Sequence, residues 1–210
     1  MTDKIMGHLL RSDTTGCVFG CRVAEVDAPV FGGMVRIPIE GETPYQIYGM
    51  IYDISIEDDG LVRQLVTAGS VTPEVVRDNR ENRTVPLEVG VLFIGYRREG
   101  EIYHLLPPRP PLSLDEIFPC EADELCEFTS KYRFGYFRHI LRRMDIPVGE
   151  LLAVHLQQAG AAHSGDPEWV TRAAKELIVL LRDDYSTLMS VMSALGDTGL
   201  RFEGLAGGVL

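Results

Sequence analysis

Lysine is nearly missing from this sequence: Lys4, Lys131 and Lys175 are its only lysines, and arginine carries the rest of the positive side-chain charge. The dipeptide Gly-Lys never occurs. The chain therefore has no G-x-x-x-x-G-K-[ST] loop to cradle nucleotide phosphates, and ATP hydrolysis is not expected of it. A G-x-G-x-x-G after a strand, a G-x-S-x-G elbow and an H-E-x-x-H pair are missing too, so no motif marks a dinucleotide site, a serine nucleophile or a zinc protease. Cysteine is scarce. Cys17, Cys21, Cys120 and Cys126 are spaced C-x3-C and C-x5-C, unlike the C-x2-C pairs of common zinc sites. Reduced, mostly buried thiols are expected, with Cys17 and Cys21 on one face if they share a strand. The five histidines, His8, His104, His139, His155 and His163, are scattered, and neither a metal nor a cofactor is expected. No apolar run reaches the roughly 18 residues that span a bilayer. Met1 to Leu10 carries charges and a histidine where a signal peptide has its apolar core, which points to the cytoplasm.

What is present is enough apolar material for a core: 45% of the 210 residues are hydrophobic. The formal net charge of −11 repels phosphate backbones, so direct nucleic-acid binding by the chain as a whole is disfavoured. The bias from lysine to arginine fits bidentate, interface-type pairing, and the base composition of the source genome accounts for it equally well.

Strand periodicity dominates the first half. In Ile47-Tyr-Gly-Met-Ile-Tyr-Asp-Ile-Ser-Ile56 the apolar residues recur with a period near two. Gly7–Leu10, Cys17–Val23, Phe31–Ile39, Gln46–Ile56, Thr84–Tyr96 and Glu101–Leu106 read as six short strands. Gly20, Gly32 and Gly33 sit where a sheet must bend, and Pro38 lies at a sheet edge. A short helix is expected from Thr72 to Arg77. Six strands in about 100 residues are most economically closed into a small barrel, since closure removes exposed edges.

After the proline-rich connector Leu106–Leu112, read as a stiff spacer, the periodicity turns helical. Ser113 and Glu116 fit a capping box opening a short helix that Pro119 ends. Phe128, Tyr132, Tyr136, Ile140 and Met144 step by four, predicting a helix from Thr129 to Met144. Another is expected from Pro147 to Ala161. Asp166-Pro-Glu168 then starts a long one striped by Trp169, Ala173, Leu177, Leu181, Leu188, Met192 and Leu195, with Asp183 and Asp184 on its polar face. The expected fold is α+β: a closed six-stranded β-barrel over residues 1–110, then an all-α region of three to four helices over 111–210 with a Gly-rich mobile tail from Gly196.

Two clusters stand out as candidate contacts. Asp53 together with the turn Glu57-Asp58-Asp59 forms an acidic end to the central strand. Such carboxylates can hold a divalent cation, although a solvated turn explains them better. Lys131, Arg133, Arg138, Arg142 and Arg143, interleaved with Tyr132, Tyr136 and Phe137, form a basic run. It reads as a contact for nucleic acid or an acidic partner, or more simply as a solvated helix face with its aromatics packed inward.

The opening Gly7-His-Leu-Leu-Arg-Ser-Asp-Thr-Thr-Gly-Cys-Val-Phe19, with Phe31-Gly-Gly-Met-Val35 and Ile47–Ile56, resembles the HAS barrel. That small β-barrel is shared by HerA-type DNA-translocating ATPases and ATP-synthase catalytic subunits. In the family the barrel precedes an ATPase core with Walker motifs; here it precedes helices without them. The resemblance implies a stand-alone barrel protein that is not an enzyme. It would be an assembly or adaptor factor that self-associates or docks on a HerA-type ATPase or its associated nuclease in DNA end processing. The alternative is a divergent metal-dependent nuclease using Glu57, Asp58 and Asp59.

Overall fold

Alternation along the strands decides the architecture. In the computed structural model, which describes residues 4–22, 29–41, 43–56, 67, 72–74 and 86–202, the first half folds into antiparallel strands. These are β1 (Gly7–Ser12), β2 (Gly16–Arg22), β3 (Met34–Ile39), β4 (Tyr45–Ile56), β5 (Pro86–Arg98), β6 (Glu101–Tyr103) and β7 (Glu116–Pro119). The order β2-β1-β7-β3-β4-β5 closes on itself through a β2–β5 ladder from Gly16↔Leu92 to Arg22↔Pro86. Six strands thus make a closed barrel. Bulges in the β4–β5 ladder at Tyr48/Gly49 and Ile51/Asp53 bend the two longest strands around it. β2 turns Cys17, Phe19 and Cys21 toward the interior core, and among the described residues no cysteine forms a disulfide.

The sixth barrel strand is not the one expected. Glu101–Tyr103 forms β6, a short flap on β5 joined by the two-residue turn Glu99-Gly100, both with positive φ, and it lies outside the closed ring. The ring is completed by β7, from the segment read as a capped helix. Ser113 does not cap: its hydroxyl donates to the Leu10 carbonyl (3.2 Å). Ile117 points into the barrel, and two-residue ladders tie β7 to β1 and β3. The proline-rich stretch is laced to the barrel, with Ser12 donating to Pro111 O (2.6 Å) and Tyr45 to Arg109 O (3.0 Å).

Two apolar cores share the sheet. Val89, Val91 and Phe93 of β5 face the barrel interior with Phe19, Val35, Ile47 and Ile51. Leu92 and Ile94 point the other way, joining Met34, Tyr48 and Met50 against the helices. A strand buried on both faces reads as a continuous apolar run, as Val89–Ile94 does.

The helical half holds α1 (Ala122–Thr129), a 3₁₀ turn (Tyr132–Phe134), α2 (Phe137–Leu141), α3 (Val148–Ala162), α4 (Pro167–Leu180) and α5 (Tyr185–Asp197). The four-residue spacing from Phe128 to Met144 does not give one helix. Tyr132, Arg133 and Phe134 have φ of 47°, 47° and 56°, and this left-handed turn breaks the run. Each such residue costs about 1–2 kcal/mol. The break lets Phe134 stack on Phe137 (5.3 Å) and meet Trp169 edge-on (5.5 Å), while Tyr132 and Met144 are left exposed. α3 and the start of α4 follow expectation, with Asp166 accepting from Glu168 N (2.9 Å).

The long C-terminal helix is also divided. Leu181 ends α4, and Asp184, expected on a polar face, is the N-cap of α5, accepting from Thr187 N (3.1 Å). Asp184→Ala should cost about 1 kcal/mol in urea unfolding; an unchanged midpoint would show that packing alone sets the break. Beyond α5 the described residues 198–202 return to the helices. Gln157 Nε2 donates to Thr198 O (2.8 Å), and Leu200 and Phe202 pack on the outer core. Residues 203–210 lie outside the described residues, as does the expected Thr72–Arg77 helix beyond Pro73 and Glu74, which are helical.

Candidate docking surface

Of the acidic cluster, Asp53 is exposed on β4, and Glu57, Asp58 and Asp59 lie outside the described residues. The five basic residues do not share a helix. Lys131 and Arg133 flank or occupy the left-handed turn, Arg138 lies on α2, and Arg142 and Arg143 follow it. Arg138 donates to the His104 carbonyl. Arg143 grips Asp145 through Nε (2.7 Å) and Nη2 (2.6 Å) and lies over the Tyr52 ring (5.1 Å). Two of the five are thus engaged within the fold, whereas Arg133 and Arg142 are exposed. Tyr136 and Phe137 pack inward.

Among the described residues no group of three or more His, Cys, Asp or Glu can hold a metal. One thiol–imidazole contact exists: Cys126 Sγ lies 3.4 Å from His163 Nδ1, and His163 Nε2 lies 2.8 Å from Thr129 Oγ1. Burial lowers the His163 pKa and favours the neutral ring, which stacks on Trp169 at 4.2 Å. No sequence motif announces a pair so far apart in the chain.

The surface that the sequence did not single out is a groove of about 510 Å³ at one end of the barrel. β7 pairs with β3 only at Val35 and Arg36, so Pro38 and Ile39 are free of it. Pro110, Pro111 and Leu112 cross there and, with Leu114 and Phe118, give the groove an apolar lining; Glu40, Asp115 and Glu116 supply its charge. The spacer-like composition hid this role, because prolines that stiffen a linker stiffen a groove wall equally well.

The groove's rim is built at a cost. Asp115 N donates to Leu112 O (3.1 Å), and its carboxylate accepts from Leu112 N (2.7 Å), closing a turn through Ser113 and Leu114. Leu114 occupies the third position of that turn with φ 74°. Turns with positive φ at this position favour glycine. Leucine there costs on the order of 1 kcal/mol, yet its side chain is 75% exposed, beside Leu112 at 74%. Burial does not repay the strain. Its backbone ties the turn to β1, Leu114 N donating to Leu9 O (2.8 Å), and leaves the side chain to solvent.

No protein-family model matches the chain, and no curated protein matches its sequence.

Proposed function

We propose that the protein is a non-catalytic adaptor of the cytoplasm that docks through the barrel-end groove onto a protein partner. The strained, exposed Leu114 beside Leu112 is the observation that carries this reading. The acidic residues in the groove select a partner whose apolar contact is ringed by arginine or lysine. The resemblance to HAS barrels supplies the candidate partner, a HerA-type ATPase or its associated nuclease, and with it a role in DNA end processing. A second copy of the chain is the competing occupant.

Both leucines are exposed, so the double variant Leu112→Asp/Leu114→Asp should unfold within about 0.5 kcal/mol of wild type. Its co-purification with the ATPase, or its dimer in mass photometry, should be lost. Met144→Asp, at a position 99% exposed outside the groove, should leave both intact. A strictly monomeric wild type that ignores the ATPase would remove the proposal.

Leu114→Gly separates strain from contact. It should raise stability by about 0.5–1 kcal/mol while weakening association. A loss of stability would show that packing holds the leucine, and the strain argument would fall.

A further inference from the structure

A second cleft, remote in sequence from the groove, opposes the chain's overall charge. It encloses about 350 Å³ between the end of α1, the left-handed turn and one face of α4. Arg172, Lys175, Glu176 and Val179 line it at helical spacings of three and four, so α4 presents them together. Arg133 enters from the turn. The lining thus holds three cations and one carboxylate in a protein of net charge −11. Among the described residues none of the three cations forms an ion pair, whereas Arg36, Arg97 and Arg143 are all paired. The wall also contains Trp169, 1% exposed, whose indole N–H is buried without a hydrogen-bond partner. The nearby hydroxyls of Thr129 and Ser130 are donated to the Leu125 and Cys126 carbonyls (2.7 Å each). The donors open to a ligand are therefore the two guanidinium groups and the ammonium.

We propose that this cleft binds a phosphomonoester of mononucleotide size, with Arg133, Arg172 and Lys175 on the phosphate and Phe134 and Val179 against the less polar remainder. Planar guanidinium groups match phosphate oxygens two at a time, and an ammonium adds a point charge. The volume falls in the range of small-molecule sites and exceeds what a bare oxyanion needs. The left-handed turn gains a purpose here, since it brings Arg133 to the cleft mouth while Phe134 packs beneath. This site is independent of the docking groove and stands or falls without it.

Trp169 is the only tryptophan in the chain and lines the cleft, so its fluorescence reports the site directly. The full chain should be titrated with sodium phosphate and with AMP at constant ionic strength, with calorimetry to count sites. Both ligands should saturate one site per chain and shift Trp169 emission, AMP binding the tighter. Arg172→Gln/Lys175→Gln, at two exposed positions, should weaken both by about tenfold or more. Arg182→Gln, exposed and paired with Asp183 just beyond α4, should match wild type. An equal response to sodium chloride, or an equal loss in Arg182→Gln, would reduce the effect to general electrostatics and overturn the site. Phosphate binding with AMP excluded would overturn the phosphomonoester assignment. So would binding of a single-stranded oligonucleotide where neither small ligand binds.

Discussion

Taking the protein from pH 7 to pH 4.5 is expected to remove about 5 kcal/mol of folding stability, through two buried histidines. His155 is fully buried between α3 and the barrel, its Nε2 3.0 Å from the Tyr136 hydroxyl and its Nδ1 3.4 Å from Gly32 O. His104, 3% exposed, follows β6 and places Nε2 3.0 Å from Phe128 O, while its Nδ1 is buried without a partner. Loss of hydration lowers the pKa of each to about 4. The unfolded chain binds these protons near pH 6.5, so between about 6.5 and 4 it holds more protons than the native state. Stability therefore falls as pH falls through that window, is fully present above it, and stops falling on their account below it. Each site contributes roughly 2.5 kcal/mol at pH 4.5, a large part of the 5–15 kcal/mol that holds a typical domain together. Burial also lowers the pKa of His139 and His163, which adds to the same slope. Urea unfolding at half-unit pH steps measures the effect. His155→Gln should remove roughly half of the main slope; a wild-type stability that is flat from pH 7 to 5 would refute the account.

The barrel was legible because its signals are local. Period-two alternation in Ile47–Ile56 and the glycines at the bends mark strands whatever they pair with. β7 was hidden because its four residues carry only one inward apolar side chain, Ile117, and its first residue, Glu116, imitates a cap with the preceding Ser113. The Phe128–Met144 spacing was misleading for a related reason. Periodicity reports where a helix can form, whereas the fit of Phe134 against Phe137 and Trp169 decides where it must stop. The site was less legible than the fold. The groove depends on which β3 residues β7 leaves unpaired. The cationic cleft depends on a turn near residue 133 meeting a helix face near residue 175. Neither juxtaposition has a spacing in the sequence. Arg133, read as part of a basic run, lines the cleft together with Arg172 and Lys175 from a distant helix.

Phe128→Ala is expected to cost 3–5 kcal/mol and to loosen the helices from a barrel that stays intact. The ring is fully buried where α1 crosses the outer face of the sheet, 4.9 Å from Tyr48, 4.6 Å from His104 and 5.4 Å from Tyr136. It lies so close to β5 that a Cβ on Gly95 would sit 2.8 Å from it and 2.5 Å from Tyr103 O. No smaller side chain fills that space, so truncation leaves a cavity at the junction of β4, β5, α1 and the left-handed turn. The damage is confined to the outer core, because Phe19, Val89, Val91 and Phe93 pack among themselves inside the barrel. Hydrogen exchange should show helix amides losing protection while those of β1, β2 and β5 keep theirs. A uniform loss would mean that the two cores unfold as one unit. The substitution also interacts with the acid response. Admitting water beside His104 removes the desolvation that lowers its pKa, so Phe128→Ala should lose less stability between pH 7 and 4.5 than wild type. The two effects then fall short of additivity, as expected for residues in direct contact. Strict additivity would show that Phe128 does not shield His104, and that its burial comes from Tyr132 and Tyr136 on its other sides.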